Sequence, residues 1–322
     1  MLRIAIIGCG LIGNKRAAAL PSGSVVSVYD MDSTKAQALA KSMNAAVAAS
    51  VDEAIAGADA VIVATIHSSL TSLAAKAVAA GKHVLIEKPA GIHAAEIAAL
   101  RDAAKQRGVV VKVGYNHRFH PAMWKAKELV DGGAVGKLLY IRGRYGHGGR
   151  IGYDKEWRAK KALAGGGEMI DQGSHLIDLS RWFLGDLDHK FSYVPTYFWD
   201  MEVEDNAFVA LGGKDGTMAW LHASWTEWKN LFCFEIFGLT GKIMIDGLGG
   251  SYGVEKLTYY RMSEQMGPPA VEQFEYPGPD GSWVLDTMEF INAIAEKRAP
   301  LGNLDDALAI MNILEVAYDH HT

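Results

Sequence analysis

Cysteine and long hydrophobic runs are both scarce in this sequence, and their scarcity excludes several classes of protein. Cys9 and Cys233 are the only cysteines among 322 residues, so no disulfide framework is indicated and a reducing compartment fits. No apolar run approaches the roughly 18 residues of a membrane-spanning helix. The apolar segment of residues 1–8 is too short for a secretory signal and runs directly into a glycine-rich stretch. We therefore expect a cytoplasmic protein with no membrane partner.

An excess of positive charge is also absent. The formal net charge is −5, so electrostatics give no support for a nucleic-acid partner. The composition, with 49% apolar and 21% charged residues, is that of an ordinary globular protein. A chain of 322 residues is long enough for two domains and a sizeable core.

A glycine pattern near the amino terminus predicts a dinucleotide-binding loop. Residues 2–7 have the pattern of a buried strand, and a G-x-G-x-x-G run follows at once. The first glycine of such a loop permits a tight turn, the second lets the backbone approach a pyrophosphate, and the third allows close packing of helix on strand. The helix that follows, expected from residue 14, would direct its free N–H groups at the phosphates. The predicted cofactor-binding loop comprises Gly8, Gly10, Leu11, Ile12 and Gly13.

An acidic residue at the end of the second predicted strand indicates which dinucleotide is expected. Asp30 follows the strand pattern of residues 25–29, and because strand, loop, helix and acid are in register, an ordinary strand–helix turn is a poor alternative. The Asp30 carboxylate can accept hydrogen bonds from the ribose hydroxyls of NAD, and its charge would repel the 2′-phosphate of NADP. No arginine occurs in the next ten residues, although Lys35 is near. NAD is therefore the expected cofactor, and NADP is less favoured.

Strand and helix patterns alternate through the first third of the chain and then change character. Helices are predicted over 32–43, 51–56, 68–80 and 93–106, with strands at 60–65, 84–86 and 109–113. This alternation implies right-handed crossovers and a parallel sheet. Residues 191–276 resemble successive strands joined by short turns, which indicates a large, mostly antiparallel open sheet. The predicted fold class is α/β, with a Rossmann-type dinucleotide-binding domain over 1–119 and an α+β domain for substrate binding and oligomerisation over 120–322.

A charged pair follows one strand of the predicted parallel sheet. Glu87 and Lys88, with Pro89 after them, come directly after the apolar residues 84–86. Ligands collect at the carboxyl ends of the strands in an open α/β sheet, so a lysine there can reach a bound substrate. The simpler alternative is a surface Glu–Lys pair ended by a strand-breaking proline.

Asp171 and His175 are the best candidates for acid–base chemistry. They lie four residues apart on a helix predicted over 168–184, so they share a face, and Asp178 is one turn further along. A histidine with a carboxylate in reach is the usual means of moving a proton near neutral pH. The same spacing suits metal ligation, but no H-E-x-x-H motif or cysteine cluster accompanies it, so no metal is predicted. A helix-surface pair is the remaining alternative.

Other polar and aromatic residues suggest substrate binding and oligomerisation. Asn116 and Arg118 would lie at the carboxyl edge of the parallel sheet, where polar groups suit a hydroxylated or anionic substrate, although Arg118 could instead tie the two domains together. Aromatic residues over 191–199 and 220–228 alternate at strand spacing and favour sheet core or a subunit interface. Alternation along 217–225 gives neither face a charge, so we expect a homodimer, or a tetramer of such dimers.

These motifs together resemble the Gfo/Idh/MocA oxidoreductase family, which includes glucose–fructose oxidoreductase and inositol dehydrogenase. The resemblance covers essentially the whole chain. It rests on the glycine loop and on residues 80–89, 114–119 and 165–178. It implies a Rossmann domain, a substrate domain with an open sheet, and NAD(P)-dependent oxidation or reduction.

The resemblance assigns roles to particular residues. In the family, the lysine of the Glu-Lys-Pro motif and the aspartate and histidine of the helix form the catalytic group. These positions are Lys88, Asp171 and His175 here, and Trp157 with Arg158 resembles a substrate-contacting pair. The mechanism that follows has His175 as the general base, supported by Asp171, with Lys88 donating to the substrate oxygen.

One loop departs from the family pattern. After the third buried strand the family usually has Thr-Pro, then an asparagine and a later histidine, whereas this chain has Thr65, Ile66 and His67 followed by two serines. Thr65, His67, Glu87 and Lys88 are predicted to contribute to cofactor binding, and the altered loop bears on the first two. No predicted catalytic group is affected.

The predicted function is hydride transfer between NAD and a hydroxyl or keto carbon of a sugar, inositol or sugar nucleotide. An NADP-linked reductase of another carbonyl compound is an alternative among enzymes. A dinucleotide-binding sensor without turnover is an alternative outside them, and the presence of Lys88, Asp171 and His175 argues against it. A metal-dependent hydrolase is the most remote alternative.

Overall fold

A computed structural model describes residues 2–320, and they divide into two compact units. The first unit contains the residues up to 115 together with 162–165 and 283–311, and the second contains 116–161, 166–282 and the residues from 312 on. The chain returns twice to the first unit, so neither unit is one continuous stretch of sequence. No helix in the described part of the chain is long and apolar enough to cross a membrane.

The first unit begins with alternating strands and helices. They are β1 (Ile4–Ile7), α1 (Leu11–Ala18), β2 (Val25–Tyr29), α2 (Ser33–Met43), β3 (Ala46–Val47), α3 (Val51–Ala56), β4 (Ala60–Val63), α4 (His67–Ala79), β5 (His83–Ile86), α5 (Ala94–Arg107) and β6 (Val111–Val113). β1 and β4 consist of alanine, valine and isoleucine and are wholly buried, which is typical of parallel strands covered on both faces.

The six strands form one parallel sheet in the order β3-β2-β1-β4-β5-β6. This arrangement confirms the predicted Rossmann-type sheet. β2 lies on one side of β1 and β4 on the other, so the strand order reverses between β1 and β4. The carboxyl ends of strands at such a switch point are where open α/β sheets bind ligands.

Helix boundaries in this unit follow local signals in the sequence. Asp32 caps α2, since its carboxylate accepts hydrogen bonds from the N–H groups of Thr34 and Lys35. Gly108 ends α5 with a φ of +63°, the left-handed conformation that favours glycine. α1 begins at Leu11 rather than at residue 14 as predicted, so it starts directly from the glycine loop.

The rest of the chain contributes further helices and all strands of a second sheet. They are α6 (Pro121–Asp131), β7 (Leu138–Gly146), α7 (Lys161–Ala164), α8 (Ser174–Leu184), β8 (Asp188–Tyr193), β9 (Asn206–Gly212), β10 (Met218–Ser224), β11 (Leu231–Gly238), β12 (Gly241–Asp246), β13 (Glu255–Arg261), β14 (Ala270–Tyr276), α9 (Ser282–Glu296) and α10 (Leu304–Asp319). Short 3₁₀ turns occupy Asn116–Phe119, Tyr153–Lys155 and Trp157–Ala159.

The second unit is organised around an eight-stranded sheet in the order β14-β13-β12-β11-β7-β10-β9-β8. Only β7 and β10 pair in parallel and the other neighbours are antiparallel, which confirms the predicted mostly antiparallel sheet. α8 packs on one face of it. Gly143 of β7 lies under Leu176 of α8, and a Cβ at Gly143 would stand 3.1 Å from the leucine side chain, so a larger residue there would crowd this contact.

The helix predicted over 168–184 is not uniform. Met169–Gly173 forms a π-helical turn, and the α-helix α8 begins only at Ser174. The buried carboxylate of Glu204 accepts hydrogen bonds from the N–H groups of Gly167 and Met169. These bonds hold the start of the turn against the segment that contains Glu204. A Cβ at Gly167 would stand 1.9 Å from the Glu204 carbonyl oxygen, so only glycine permits this approach. π-turns often occur at functional sites.

Candidate active site

The glycine loop of the first unit has the geometry of a phosphate-binding site. Gly8 has a φ of +97°, and a Cβ on it would stand 2.4 Å from the Ala64 carbonyl oxygen. A Cβ on Gly13 would stand 1.9 Å from the Gly8 carbonyl oxygen, whereas Gly10 faces open space. α1 starts from Gly10 with no side-chain cap and no acidic residue in its first turn. These residues therefore fit the diphosphate of a dinucleotide, which would use the uncapped N–H groups.

Asp30 is joined to this loop by its own carboxylate. Oδ2 accepts a hydrogen bond of 2.7 Å from the Cys9 N–H, and Oδ1 accepts one of 2.8 Å from the Asp32 N–H. A carboxylate has further lone pairs, so Asp30 can still accept from ribose hydroxyls. Burial and the Asp30 charge raise the pKa of the Cys9 thiol to about 12, so this cysteine is not a nucleophile. Beside the loop, the Leu11 side chain is exposed.

The loop that departs from the family pattern lies at the start of α4. Thr65 accepts a hydrogen bond of 2.9 Å from the Ser69 hydroxyl. His67 is buried, and its Nδ1 lies 2.9 Å from the carbonyl oxygen of Ala164. Since a carbonyl only accepts, Nδ1 of His67 carries the hydrogen. His67, in the loop that departs from the family pattern, therefore joins the start of α4 to the segment of residues 162–165.

The Glu-Lys-Pro segment follows β5, as predicted. Glu87 is buried, and its Oε1 accepts a hydrogen bond of 2.6 Å from Nε of Arg16. The Lys88–Pro89 peptide bond is cis, and Ala90, which follows, has a φ of +75° that is unusual for a residue with a side chain. Lys88 is half-buried. The carboxylate of Glu87 thus engages Arg16, so we assign Glu87 a part in holding this segment in addition to its predicted cofactor role.

A buried charge network that the sequence analysis missed surrounds Arg16. Nη1 of Arg16 lies 2.5 Å from Oδ2 of Asp286, and Nζ of Lys112 lies 2.5 Å from the other oxygen of that carboxylate. Burial lowers the pKa of Arg16, but Glu87 and Asp286 outweigh it and raise the pKa overall. The available signal was an arginine beside Gly13 and Ala17 on the apolar side of α1. The network therefore joins α9 directly to β6, which carries Lys112, and through Arg16 to the Glu-Lys-Pro segment that follows β5.

Arg158 contacts two other predicted site residues of the second unit, Asp171 and Trp157. Nε of Arg158 lies 3.2 Å from Oδ2 of Asp171, and the Arg158 guanidinium lies over the Trp157 ring at 4.5 Å from its centroid. Burial lowers the pKa of Arg158, while Asp171 and Tyr153 raise it, and the net pKa is above its ordinary value. The substrate-contacting pair inferred from the resemblance is therefore joined to one member of the predicted catalytic group.

His175 lies in a cluster of aromatic and polar side chains. It is buried, and its ring stacks on that of His117 with centroids 3.7 Å apart. Nε2 of His117 is 3.1 Å from the Tyr145 hydroxyl, and Tyr145 packs edge-on against Tyr252. His117 was predicted only as one of the polar residues at the carboxyl edge of the parallel sheet, and Tyr145 and Tyr252 were not predicted as site residues. His117 lies within the matched segment 114–119, but nothing in the sequence pairs it with a helix some sixty residues away.

Arg118 and Asn116 are both committed to partners in the second unit. Arg118 binds both carboxylate oxygens of Asp178 on α8. Asn116 donates a hydrogen bond of 2.9 Å to the Ser282 hydroxyl. Both side chains are buried. Within this unit, Arg118 supports the helix that carries His175.

No group of three or more His, Cys, Asp or Glu side chains among residues 2–320 is arranged to hold a metal ion. The Asp171 carboxylate is instead paired with Arg158.

The first unit has a parallel sheet with a dinucleotide-type glycine loop, and the second has a large open sheet on which α8 packs, so the first unit belongs to the Rossmann class of folds. The chain belongs to the GFO/IDH/MocA family. Residues 2–115 match the family described as an oxidoreductase family with an NAD-binding Rossmann fold, and residues 123–244 match the GFO/IDH/MocA C-terminal domain. These matches confirm the predicted family and the predicted NAD-binding domain.

Individual relatives agree with this assignment. Levoglucosan dehydrogenase of Pseudarthrobacter phenanthrenivorans is 31% identical over 48% of this chain and 40% of that protein. Trans-1,2-dihydrobenzene-1,2-diol dehydrogenase of Mus musculus is 28% identical over 98% of this chain and 96% of that one. The crystal structure of GenD2 from gentamicin A biosynthesis, in complex with NAD, has a TM-score of 0.85 at 28% identity over 99% of this chain and 93% of that one. The chain spans about half the length of the first curated relatives it matches.

Proposed function

We propose that the protein is an NAD-dependent oxidoreductase acting on a hydroxyl or keto carbon of a sugar, inositol or sugar nucleotide. The observation that carries the proposal is the uncapped start of α1 beside Gly10, with Asp30 bonded to the same loop. The relatives named as sugar and inositol dehydrogenases support the substrate class. The Asp30 carboxylate supports NAD over NADP.

In the proposed reaction, His175 removes the proton of the substrate hydroxyl as its carbon loses a hydride. NAD, when bound, would supply the hydride acceptor. The Asp171 carboxylate supports the positive charge that His175 gains, and Lys88 donates a hydrogen bond to the oxygen that becomes a carbonyl. In the reverse direction the same two groups would stabilise and protonate that oxygen.

The proposed substrate contacts come from Trp157 and Arg158. An indole face suits the C–H surface of a sugar ring, and a guanidinium supplies directed donors to its hydroxyls. Arg158 already bonds Asp171, so a hydroxyl bound there would lie beside a catalytic carboxylate. Asn116 and Arg118 are held by Ser282 and Asp178, so we assign them indirect support of the substrate.

A polyol and sugar panel tests the proposal. The purified protein is incubated with NAD or NADP and each of a set of inositols, hexoses and anhydrosugars, and absorbance at 340 nm is followed. We expect reduction of NAD by at least one cyclic polyol or sugar. Faster reduction of NADP would favour a reductase of another carbonyl compound. Tight NAD binding with no turnover across the panel, run in both directions, would favour a sensor.

We also propose that the protein forms a homodimer, or a tetramer of dimers, through the sheet of the second unit. Within that unit α8 packs on one face, and the opposite face exposes aromatic side chains. Trp220 stacks on Phe191 and Tyr140 stacks on Phe237. This face also carries a charged group of Arg142 with Glu235, so it is not purely apolar. Self-association about a two-fold axis would bury the aromatic rows.

A reducing, cytoplasmic location is the remaining part of the proposal. Cys9 and Cys233 are both free and buried, and burial raises the pKa of the Cys233 thiol to about 11. Cell fractionation with an antibody against the protein tests this. Recovery in a secreted fraction would contradict it.

A further inference from the structure

The ring of His117 lies flat against the ring of His175. The centroids are 3.7 Å apart and the planes differ by 20°. Such a contact fixes the plane of both rings and leaves their nitrogen-bearing edges available for hydrogen bonds. We propose that His117 is a positioning residue for His175, and that the stacked pair takes up one proton as a unit. This inference rests on the proposed function in which His175 is the base.

One ring nitrogen of His117 is held by a chain of hydrogen bonds with a fixed direction. Ser282 donates to Oδ1 of Asp280 at 2.6 Å, because a carboxylate accepts only. The Ser282 oxygen then accepts from the side-chain amide of Asn116 at 2.9 Å. That bond turns Oδ1 of Asn116 towards Nδ1 of His117, 3.2 Å away. Nδ1 of His117 therefore carries a hydrogen.

The other ring nitrogen can hold or release a proton without losing its partner. Nε2 of His117 lies 3.1 Å from the Tyr145 hydroxyl, and that hydroxyl also interacts with Tyr252. The Tyr252 oxygen accepts from Nε2 of Gln172 at 3.0 Å. When His117 is neutral, Tyr145 donates to Nε2. When His117 is protonated, Tyr145 accepts from Nε2 and can turn its hydrogen towards Tyr252.

The surroundings of the pair determine how it titrates. His120 lies edge-on to His117 at 5.6 Å and bonds Glu255 of β13, while Phe232 of β11 contributes only an apolar ring. The charged and titratable groups around the pair include Tyr145 and Tyr252, the Arg118–Asp178 ion pair, and His120 with Glu255 and Asp280. Glu168 and Asp171 act on the Tyr145 hydroxyl that bonds His117.

Two imidazolium rings at this separation would repel each other strongly, so the second proton binds only at a much lower pH. His175 can therefore accept the substrate proton only while His117 is neutral. Protonation of His117 as the pH falls would prevent His175 from accepting the substrate proton, although His175 itself stays neutral. The pair thus sets the acid side of the pH range for activity.

A titration by NMR tests the pairing without turnover. Histidine Cε1–H shifts are followed with pH in the wild type, in His117→Phe, which keeps a ring for stacking, and in His93→Gln, an exposed histidine of the first unit, as a control. Phenylalanine and glutamine variants of His117 are both prepared, in case one fails to fold. We expect a broadened, two-step titration of His175 in the wild type and in the control, and a single step in either His117 variant. A single step with the same midpoint in all proteins would overturn the inference.

Kinetics test the positioning role. With a substrate found in the panel, His117→Gln, which removes the stacked ring, should lower kcat about tenfold with little change in KM, and should alter the acid limb of the kcat profile. An unchanged kcat, or a fall in kcat with the same pH profile, would overturn the inference. Normal turnover by His175→Ala would instead overturn the proposed function, while the NMR result would still report on the pair.

Discussion

The guanidinium of Arg118 binds both carboxylate oxygens of Asp178, with Nε 2.9 Å from Oδ2 and Nη2 2.5 Å from Oδ1. Both side chains are buried. The pair joins α8, which carries His175, to the turn that carries His117. Arg118 therefore fixes two elements of the candidate site relative to each other within the second unit. Its sequence-based alternative, a tie between two domains, is not needed to explain its burial.

Removal of one partner of this pair should destabilise the protein strongly. Asp178→Asn would leave a buried guanidinium without its counter-charge, and we expect the free energy of unfolding to fall by about 3–5 kcal/mol. Urea unfolding at neutral pH measures it. Asp186→Asn is the matched control, because Asp186 is an exposed partner of Arg181, and it should cost less than about 1 kcal/mol. Equal losses in the two variants would contradict the structural role of Arg118.

The cofactor preference should depend on the Asp30 charge. Asp30→Asn keeps an oxygen for the Cys9 N–H but removes the negative charge, so it should narrow the preference for NAD over NADP. Asp30→Ala removes both and should also weaken NAD binding. Fluorescence titration with NADH and NADPH measures the two dissociation constants. Tighter binding of NADPH by the wild type would show that Asp30 does not select the cofactor.

The predicted catalytic group should be sensitive to single substitutions. Lys88→Ala and His175→Ala are each expected to lower kcat at least about 10²-fold, since each removes acid–base or oxyanion assistance. NADH binding should survive in the His175 variant. Lys105→Ala, an exposed lysine on α5, is the control and should match the wild type. Near-normal turnover in either test variant would refute its assignment.

Stability should fall on mild acidification, and His83 should contribute to the fall. Nδ1 of His83 accepts a hydrogen bond of 3.0 Å from the Val110 N–H, and burial lowers its pKa against a smaller opposing effect of Asp59. The folded protein then binds fewer protons than the unfolded chain, so the contribution is present above the ordinary pKa of 6.5 and is lost as the pH falls below it. Melting temperatures between about pH 7 and pH 5 should depend less on pH in His83→Gln. The exposed His93→Gln should leave that dependence unchanged, and an equal effect of both would contradict the role of His83.

Much of the fold follows from local patterns in the sequence. The apolar runs of β1 and β4 and the glycine loop between β1 and α1 determine local structure through spacing alone. α3 was predicted at its observed bounds, 51–56. The π-turn could not be predicted, because it depends on Glu204 and Gly167, which approach each other only in the folded chain.

Only some residues of the candidate site could be proposed from the sequence, because only some of them belong to local motifs. Local motifs indicated Lys88, Asp171 and His175, and family resemblance supplied Trp157 and Arg158. Contacts between distant segments carry no local signal. The stacking of a histidine at 117 on one at 175, and the buried network around Arg16, therefore required the structure.

Self-association through the second sheet should depend on its exposed aromatic face. Trp220 pairs in register with Ala210, which pairs with Phe191, so the two rings stack across the strand between them. A charge at Trp220 would have to be buried in a face-to-face dimer, so Trp220→Glu should dissociate it. Sedimentation equilibrium should give a multiple of 34.8 kDa for the wild type and the single-chain mass for the variant. Met31→Glu, at an exposed position of the first unit, should sediment like the wild type. A wild-type mass of one chain would show that this sheet face is not a dimer interface.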